Sequence, residues 1–150
     1  MFQRILCPTD FDGNSLEALR LARRLALRDE GKVLLIHVVL PTDPLIISAP
    51  LVGRRSEAEA RSDLKQLAEK ELTPVAHETL LRFGRPAHEI IRAAHEVGAD
   101  LIVMGTHGRD GLEHLVLGSV AAKIVRESVC PVLTLRMHDR HREAAATTLL

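Results

Sequence analysis

The sequence predicts an open α/β domain, five parallel strands with helices on both faces. Three observations carry this. Short apolar runs alternate with stretches of helical period along nearly the whole chain, which is the βαβ pattern. Helix start and stop signals fall between those runs. The chain has 150 residues, 46% apolar and 27% charged. That length and composition suit one domain with its own core and exclude a disordered tail.

The first strand is expected over Arg4 to Pro8. In the helix after it, Asn14 and Glu17 stand at capping-box spacing, with Asp12 as an alternative cap. Leu16, Leu19, Ala22, Leu25 and Ala26 form its apolar face, and Gly31 is expected to stop it. Lys32 to Val39 is a continuous apolar run with β-branched residues, suited to an interior strand. Ser56 and Glu59 repeat the capping box for a second helix reaching about Glu71, striped by Leu64, Leu67 and Ala68. The third strand is expected over Ala76 to Phe83. Pro86 takes the first position of a third helix carrying Ile90, Ile91, Ala94 and Val97, and Gly98 ends it. Asp100 to Gly105 is the fourth strand, Ser119 to Glu127 the fourth helix, and Pro131 to Arg136 the fifth strand. The stretch from Pro41 to Gly53 breaks the rhythm, with three prolines around Leu45, Ile46 and Ile47. It is long for a connection, and functional loop and solvated linker stand as alternatives.

Composition removes several classes of function. Lys plus Arg equals Asp plus Glu at 20 each, so the basic excess of a nucleic-acid binder is missing. With no Trp, no Tyr and three Phe, a base-stacking platform is hard to build. Cys7 and Cys130 make neither a disulfide framework nor a zinc spacing. They are expected at opposite ends of the strands and unbonded. No apolar run approaches the ~20 residues of a membrane span, and the first residues lack a signal-peptide pattern. A cytoplasmic protein with no membrane contact is expected. His88 and His95 lack the spacing of a zinc helix and are expected on the surface. GxxxxGK[ST] is absent, no GxGxxG follows strand one, and GxSxG is absent. This counts against a P-loop NTPase, a dinucleotide oxidoreductase and a serine hydrolase.

In such sheets ligands bind beyond the carboxyl ends of the strands. Two strand ends stand out: residues 7–13, and residues 105–111 leading on to Gly118 and Ser119 at a helix start. Glycines let backbone amides approach a phosphate, and a helix N-terminus offers free N–H groups. Local chemistry leaves phosphate binding and simple turn formation as alternatives for these glycines. His107 and Arg109 lie inside this loop, where each could meet phosphate or solvent.

The spacing Gly105-x2-Gly108-x9-Gly118-Ser119 resembles that of the ATP-binding branch of the universal stress protein family. Residues 5–10 (ILCPTD) resemble that family's first strand, His37-Val38-Val39 its second, and Gly84-x-Pro86 its third loop. Residues 100–105 (DLIVMG) resemble its fourth strand and Pro131-Val132-Leu133 its last. The resemblance implies a Rossmann-like sheet of order 3-2-1-4-5, with ATP over the carboxyl ends of strands one and four. It implies that Pro8, Thr9 and Asp10 border the adenosine and ribose, and that Val38 meets adenine through its backbone. Met104, Gly105, Gly108, Gly118, Ser119 and Val120 would line the phosphate path, with Arg109 as a neighbour. Asp10 would hold Mg2+ or Mn2+ on the phosphates. The chain departs from the family at Phe11 and Asp12, where a small residue or Ser is common. Phe11 is expected under the loop and Asp12 at the helix cap.

The resemblance further implies a nucleotide-binding domain over residues 1–136 and a polar tail over 137–150, expected to fray. Strand five, Pro131 to Arg136, is an apolar edge that must be covered or paired, and the resemblance implies that it pairs with its copy in a homodimer. A sensing or regulatory role in the stress response, acting on an unidentified protein partner, follows by the same resemblance. Two alternatives stand beside it. One is a slow ATPase or related nucleotide-using enzyme. The other is a nucleotide-free interaction module of the same fold.

Overall fold

The computed structural model describes residues 1–40, 56–106 and 117–136. In chain order the elements are β1 (Arg4–Pro8), α1 (Gly13–Asp29), β2 (Lys32–Val39), α2 (Glu57–Leu72), β3 (Ala76–Phe83), α3 (Pro86–Val97), β4 (Leu101–Gly105), α4 (Ser119–Glu127) and β5 (Val132–Leu135). The strands form one parallel sheet of order β3-β2-β1-β4-β5. Every expected element is present, and β4 and β5 are trimmed by a residue at their ends. The stretch from Pro41 to Gly53 and the tail from residue 137 lie outside the described residues.

Successive residues of a strand face opposite sides of the sheet, and the core divides accordingly. Ile5, Cys7, Val33, Leu35 and Val103 pack with Leu19, Leu64 and Leu72 of α1 and α2. Leu6, Leu34, Ile36 and Ile102 pack with Ile90 and Ala94 of α3 and Ile124 of α4. The sheet therefore separates Cys7 from Cys130, which packs on the second face. Both thiols are free. Burial pushes the Cys7 thiol up to about 12, so it stays protonated and unreactive at neutral pH.

Capping follows local chemistry with one correction. Ser56 and Glu59 form the expected reciprocal box, with the Glu59 amide donating to Ser56 Oγ at 3.2 Å and the Ser56 amide to Glu59 Oε2 at 2.7 Å. Pro86 occupies the first turn of α3, and Gly98 ends it at φ 60°. In α1, however, the cap is Asp12 and not Asn14. The Asp12 carboxylate accepts the Ser15 amide at 2.8 Å, which places Asn14 already inside the helix. At the other end, Glu30 takes the left-handed conformation at φ 52°, ahead of Gly31.

The amino ends of the strands are pinned by two aspartates. Asp29 accepts the Phe2 amide and the Arg28 guanidinium, each at 2.8 Å. Asp100 accepts the Gln3 amide at 2.8 Å and the Arg4 amide at 3.2 Å. The Arg28 hydrogen bond, then the Phe2 amide, hold the Asp29 carboxyl down at about 2, against an ordinary value of about 4. A depressed carboxyl stabilises the fold above its ordinary value, and that contribution is lost as pH falls through the depressed one. Asp29→Asn should therefore be less stable than the parent at neutral pH, and the difference should shrink between about pH 4 and about pH 2. Urea melts of both proteins across that window check this.

Candidate functional site

The register of the sheet opens a crevice. β1 pairs with β2 over five rungs, ending at Pro8 opposite Ile36. With β4 it pairs over only two, Ile5 with Leu101 and Leu6 with Ile102. β4 then continues to Gly105 against β5 alone. At β1 the chain's progression across the sheet also reverses, which is where open α/β sheets bind ligands. Val38 lies beyond the last rung of β1. The Ile36 carbonyl accepts the Thr9 amide at 2.8 Å. Backbone groups two residues on face the same side, so those of Val38 face the crevice.

The turn after β1 is closed by its own polar groups. Thr9 is buried. Its Oγ1 accepts the Phe11 amide at 3.0 Å and shares a hydrogen bond with Ser15 Oγ at 3.1 Å. Asp10 Oδ1 accepts the Asp12 amide at 3.1 Å. His37 Nδ1, from β2, donates to the Thr9 carbonyl at 2.8 Å. The Phe11 ring packs against the His37 ring, with centroids 4.7 Å apart and planes at 58°. Phe11 also packs on the α1/α2 core.

Two carboxylates share this turn. Burial pushes the Asp12 carboxyl above its ordinary value, the Asp10 side chain adds to the rise, and the Ser15 amide opposes it. A cation against Asp10 would relieve this. Among the described residues no group of three or more His, Cys, Asp or Glu side chains could hold a metal. The residues present fit a cation that takes one carboxylate, water and phosphate oxygens, which is the habit of Mg2+.

The opposite wall is the start of α4. Gly118 is its N-cap and supplies no side-chain cap. The Gly118 amide donates to the Thr106 carbonyl at 2.7 Å, and the Thr106 amide to the Leu135 carbonyl at 2.9 Å. This ties the helix start to β4 and β5. The amides of Ser119, Val120 and Ala121 fall in the first turn, where a helix has no internal acceptor for them. With the dipole they form an anion-binding end.

Pro8, Thr9, Asp10, Val38, Met104, Gly105, Gly118, Ser119 and Val120 thus all stand at the carboxyl end of the sheet. Gly108 and Arg109, with His107, lie outside the described residues. Two of the expected residues have a packing duty. The Met104 side chain is buried in the α3/α4 core. Its backbone lies between the Ile102 and Thr106 amides, which donate to the Pro131 and Leu135 carbonyls, and so faces β5, in register with Thr134, and not the crevice. The structure therefore does not bring Met104 to the phosphate path. A Cβ on Gly105 would stand 3.1 Å from Asn14 Cβ and 3.3 Å from the Asn14 carbonyl, so this glycine lets the first turn of α1 lie on the end of β4. His37 and Ser15 were not legible as site residues. Each reads as an ordinary strand or helix position, and their partners at Thr9 appear only once the chain folds.

A depression of about 360 Å³ lies at the other end of the sheet, lined by residues including Gln3, Arg4, Lys32 and Asp100. Of its charged groups, Lys32 pairs with Glu78, and Asp100 accepts the Gln3 and Arg4 amides. Among the described residues no helix is long and apolar enough to cross a membrane.

The profile of the universal stress protein family matches residues 1–136. The chain belongs to this family. Universal stress protein MJ0531 of Methanocaldococcus jannaschii is 37% identical over 143 residues, covering 91% of this chain and 83% of that protein. The solved structure of MJ0577, a universal stress protein from the same organism, superposes with a TM-score of 0.78 at 26% identity. That match covers 93% of this chain and 99% of the other. A universal stress protein solved in complex with cAMP shares the fold, with a TM-score of 0.70 at 23% identity over 89% of this chain and 97% of that one.

Proposed function

We propose that this universal stress protein binds ATP with a divalent cation in the crevice between β1 and β4, as a sensing or regulatory protein of the stress response. The observation that carries the reading is a juxtaposition across one crevice. A carboxylate, Asp10, stands at the end of β1, and a helix start without a side-chain cap, Gly118 and Ser119, follows β4. The cAMP complex of a relative is a precedent for an adenine nucleotide on this fold and no more.

In this reading the backbone of Val38 meets adenine, and Pro8 and Thr9 border the ribose. Gly105, Gly118, Ser119 and Val120 present amides to the phosphates, with Gly108 and Arg109 completing the loop. Asp10 would hold Mg2+ or Mn2+, which supplies charge neutralisation for the phosphates. The other polar groups of the turn are engaged in holding it: Asp12 caps α1 and His37 Nδ1 holds Thr9. That favours binding over rapid hydrolysis, since a general base must be free to take a proton. Residues 1–136 form the binding unit in this reading, with 137–150 a tail outside it.

Calorimetric titration of the nucleotide-stripped protein with Mg·ATP tests the reading. Saturable binding is expected, weakened at least about tenfold in Gly118→Val. Val can adopt the extended N-cap backbone of φ −66° and ψ 163° but sets a branched side chain at the anion-binding end. The absence of heat at two temperatures, which guards against a vanishing enthalpy, would move the nucleotide-free module to the front.

The homodimer is part of the same reading. Leu133 of the edge strand β5 is 40% exposed, and Val125 and Val129 before it are 47% and 64% exposed. An apolar edge of this kind is suited to pairing with a second copy. Light scattering at micromolar concentration should give a dimer for the parent and a monomer for Leu133→Lys. A monomeric parent would contradict it.

A further inference from the structure

The backbone of Phe11 is unusual, since φ is 66°. The left-handed region is sterically costly for a residue with a Cβ and is an outlier for a bulky one. Gly or Asn would occupy it at less cost. Strain of this sort persists only where surrounding contacts over-determine it. Here three contacts do so. The Phe11 amide donates to Thr9 Oγ1, the ring lies on His37, and it packs on the α1/α2 core. His37 in turn holds the Thr9 carbonyl. The turn is therefore closed on itself by the Phe11 amide and tied to β2 through His37, by the Phe11 ring and by the Thr9 carbonyl.

We infer that Phe11 is a positioning residue whose ring, clasped on His37, fixes the 9–12 turn and so sets the aim of Asp10 and Thr9 toward the nucleotide. This rests on the nucleotide-binding reading above. The strain is what makes the idea testable, because it separates stability from affinity. Phe11→Ala keeps the backbone cost and loses the ring. Phe11→Gly loses both, so it should melt at a higher temperature than Phe11→Ala. Were Phe11 merely structural, affinity would follow stability, and the glycine variant would bind better than the alanine one. With Phe11 as the clasp, the glycine variant binds no better, because nothing then holds the turn. Phe11→Tyr keeps the ring and should restore binding.

The experiment pairs Mg·ATP titration with thermal melts and amide hydrogen exchange on the nucleotide-free proteins. The expected result is affinity about tenfold weaker in both Phe11→Ala and Phe11→Gly, and near that of the parent in Phe11→Tyr. The Phe11 (or substituted) and Asp12 amides should exchange faster in the two small variants while the β2 amides stay protected. Parent-like affinity in Phe11→Ala, or affinity that rises with melting temperature from Ala to Gly, would overturn the inference. If the parent itself binds no nucleotide, the nucleotide-binding reading fails. Exchange at the two turn amides then decides the clasp alone: acceleration in Phe11→Ala supports it, and unchanged rates overturn it.

Discussion

Gly31→Ala should lower stability by about 2–3 kcal/mol, the upper part of the range for overpacking a tight site. For a chain of this size that is a fall in melting temperature on the order of 5–10 °C. Adding one methyl at a strand entrance would ordinarily help, since glycine is the entropically costly residue there. At this position a Cβ would collide with the Phe2 carbonyl oxygen and stand 3.1 Å from Gln3 Cα. Those are backbone atoms, and the Gln3 carbonyl already accepts the Lys32 amide at 2.9 Å. The first rung of β1 on β2 must open to admit the methyl. The neighbouring residue gives the opposite sign. Glu30 is exposed and left-handed, so Glu30→Gly should raise stability by about 0.5–1 kcal/mol. Paired thermal melts check both. A Gly31→Ala protein melting with the parent would show that the strand entrance yields more easily than its geometry indicates.

Leu35→Ala should cost about 2–5 kcal/mol, the range for truncating a fully buried leucine. Leu35 has no exposed surface and packs from β2 into the cluster with Leu19, Leu64 and Val103. The residues around it come from two helices and three strands, so the cavity has little freedom to collapse. In Leu133→Ala the same truncation falls on a side chain that is 40% exposed. There the stability cost within one subunit should stay below about 1 kcal/mol. Denaturant melts at low protein concentration separate the two. Comparable losses at both positions would contradict the placement of β2 inside the sheet and β5 at its edge.

Local signals carried most of the fold. The Ser56–Glu59 box, Pro86 at a helix start and Gly98 at a helix end each need only neighbours within a turn. The apolar runs marked the strands because both faces of a parallel sheet are covered. The order of the strands was different. It depends on contacts between distant segments, and it came with the family resemblance and not from periodicity. Where local readings slipped, two residues competed for one duty. Asp12 and Asn14 both suit a cap, and the Asp12 carboxylate reaches the Ser15 amide first. Gly31 is indeed placed after α1, but Glu30 takes the left-handed turn and the glycine is needed for its closeness to Phe2.

The site was legible as a set of strand ends and glycines, and illegible in what supports them. Nothing in the residue type of Phe11 announces a positive φ. Nothing in a strand histidine announces that its ring will hold the Thr9 carbonyl, 28 residues away in sequence. Gly105 reads as a phosphate-loop glycine, and its contact with Asn14 is a long-range packing fact.

The most direct measurement is an amide map of the 15N-labelled protein titrated with Mg·ATP. The crevice reading predicts saturable shifts at Thr9, Asp10, Val38, Gly105, Gly118, Ser119 and Val120, with the amides of Gln3, Arg4 and Lys32 at the opposite end of the sheet unmoved. Shifts confined to that opposite end, or none at saturating nucleotide, would contradict it.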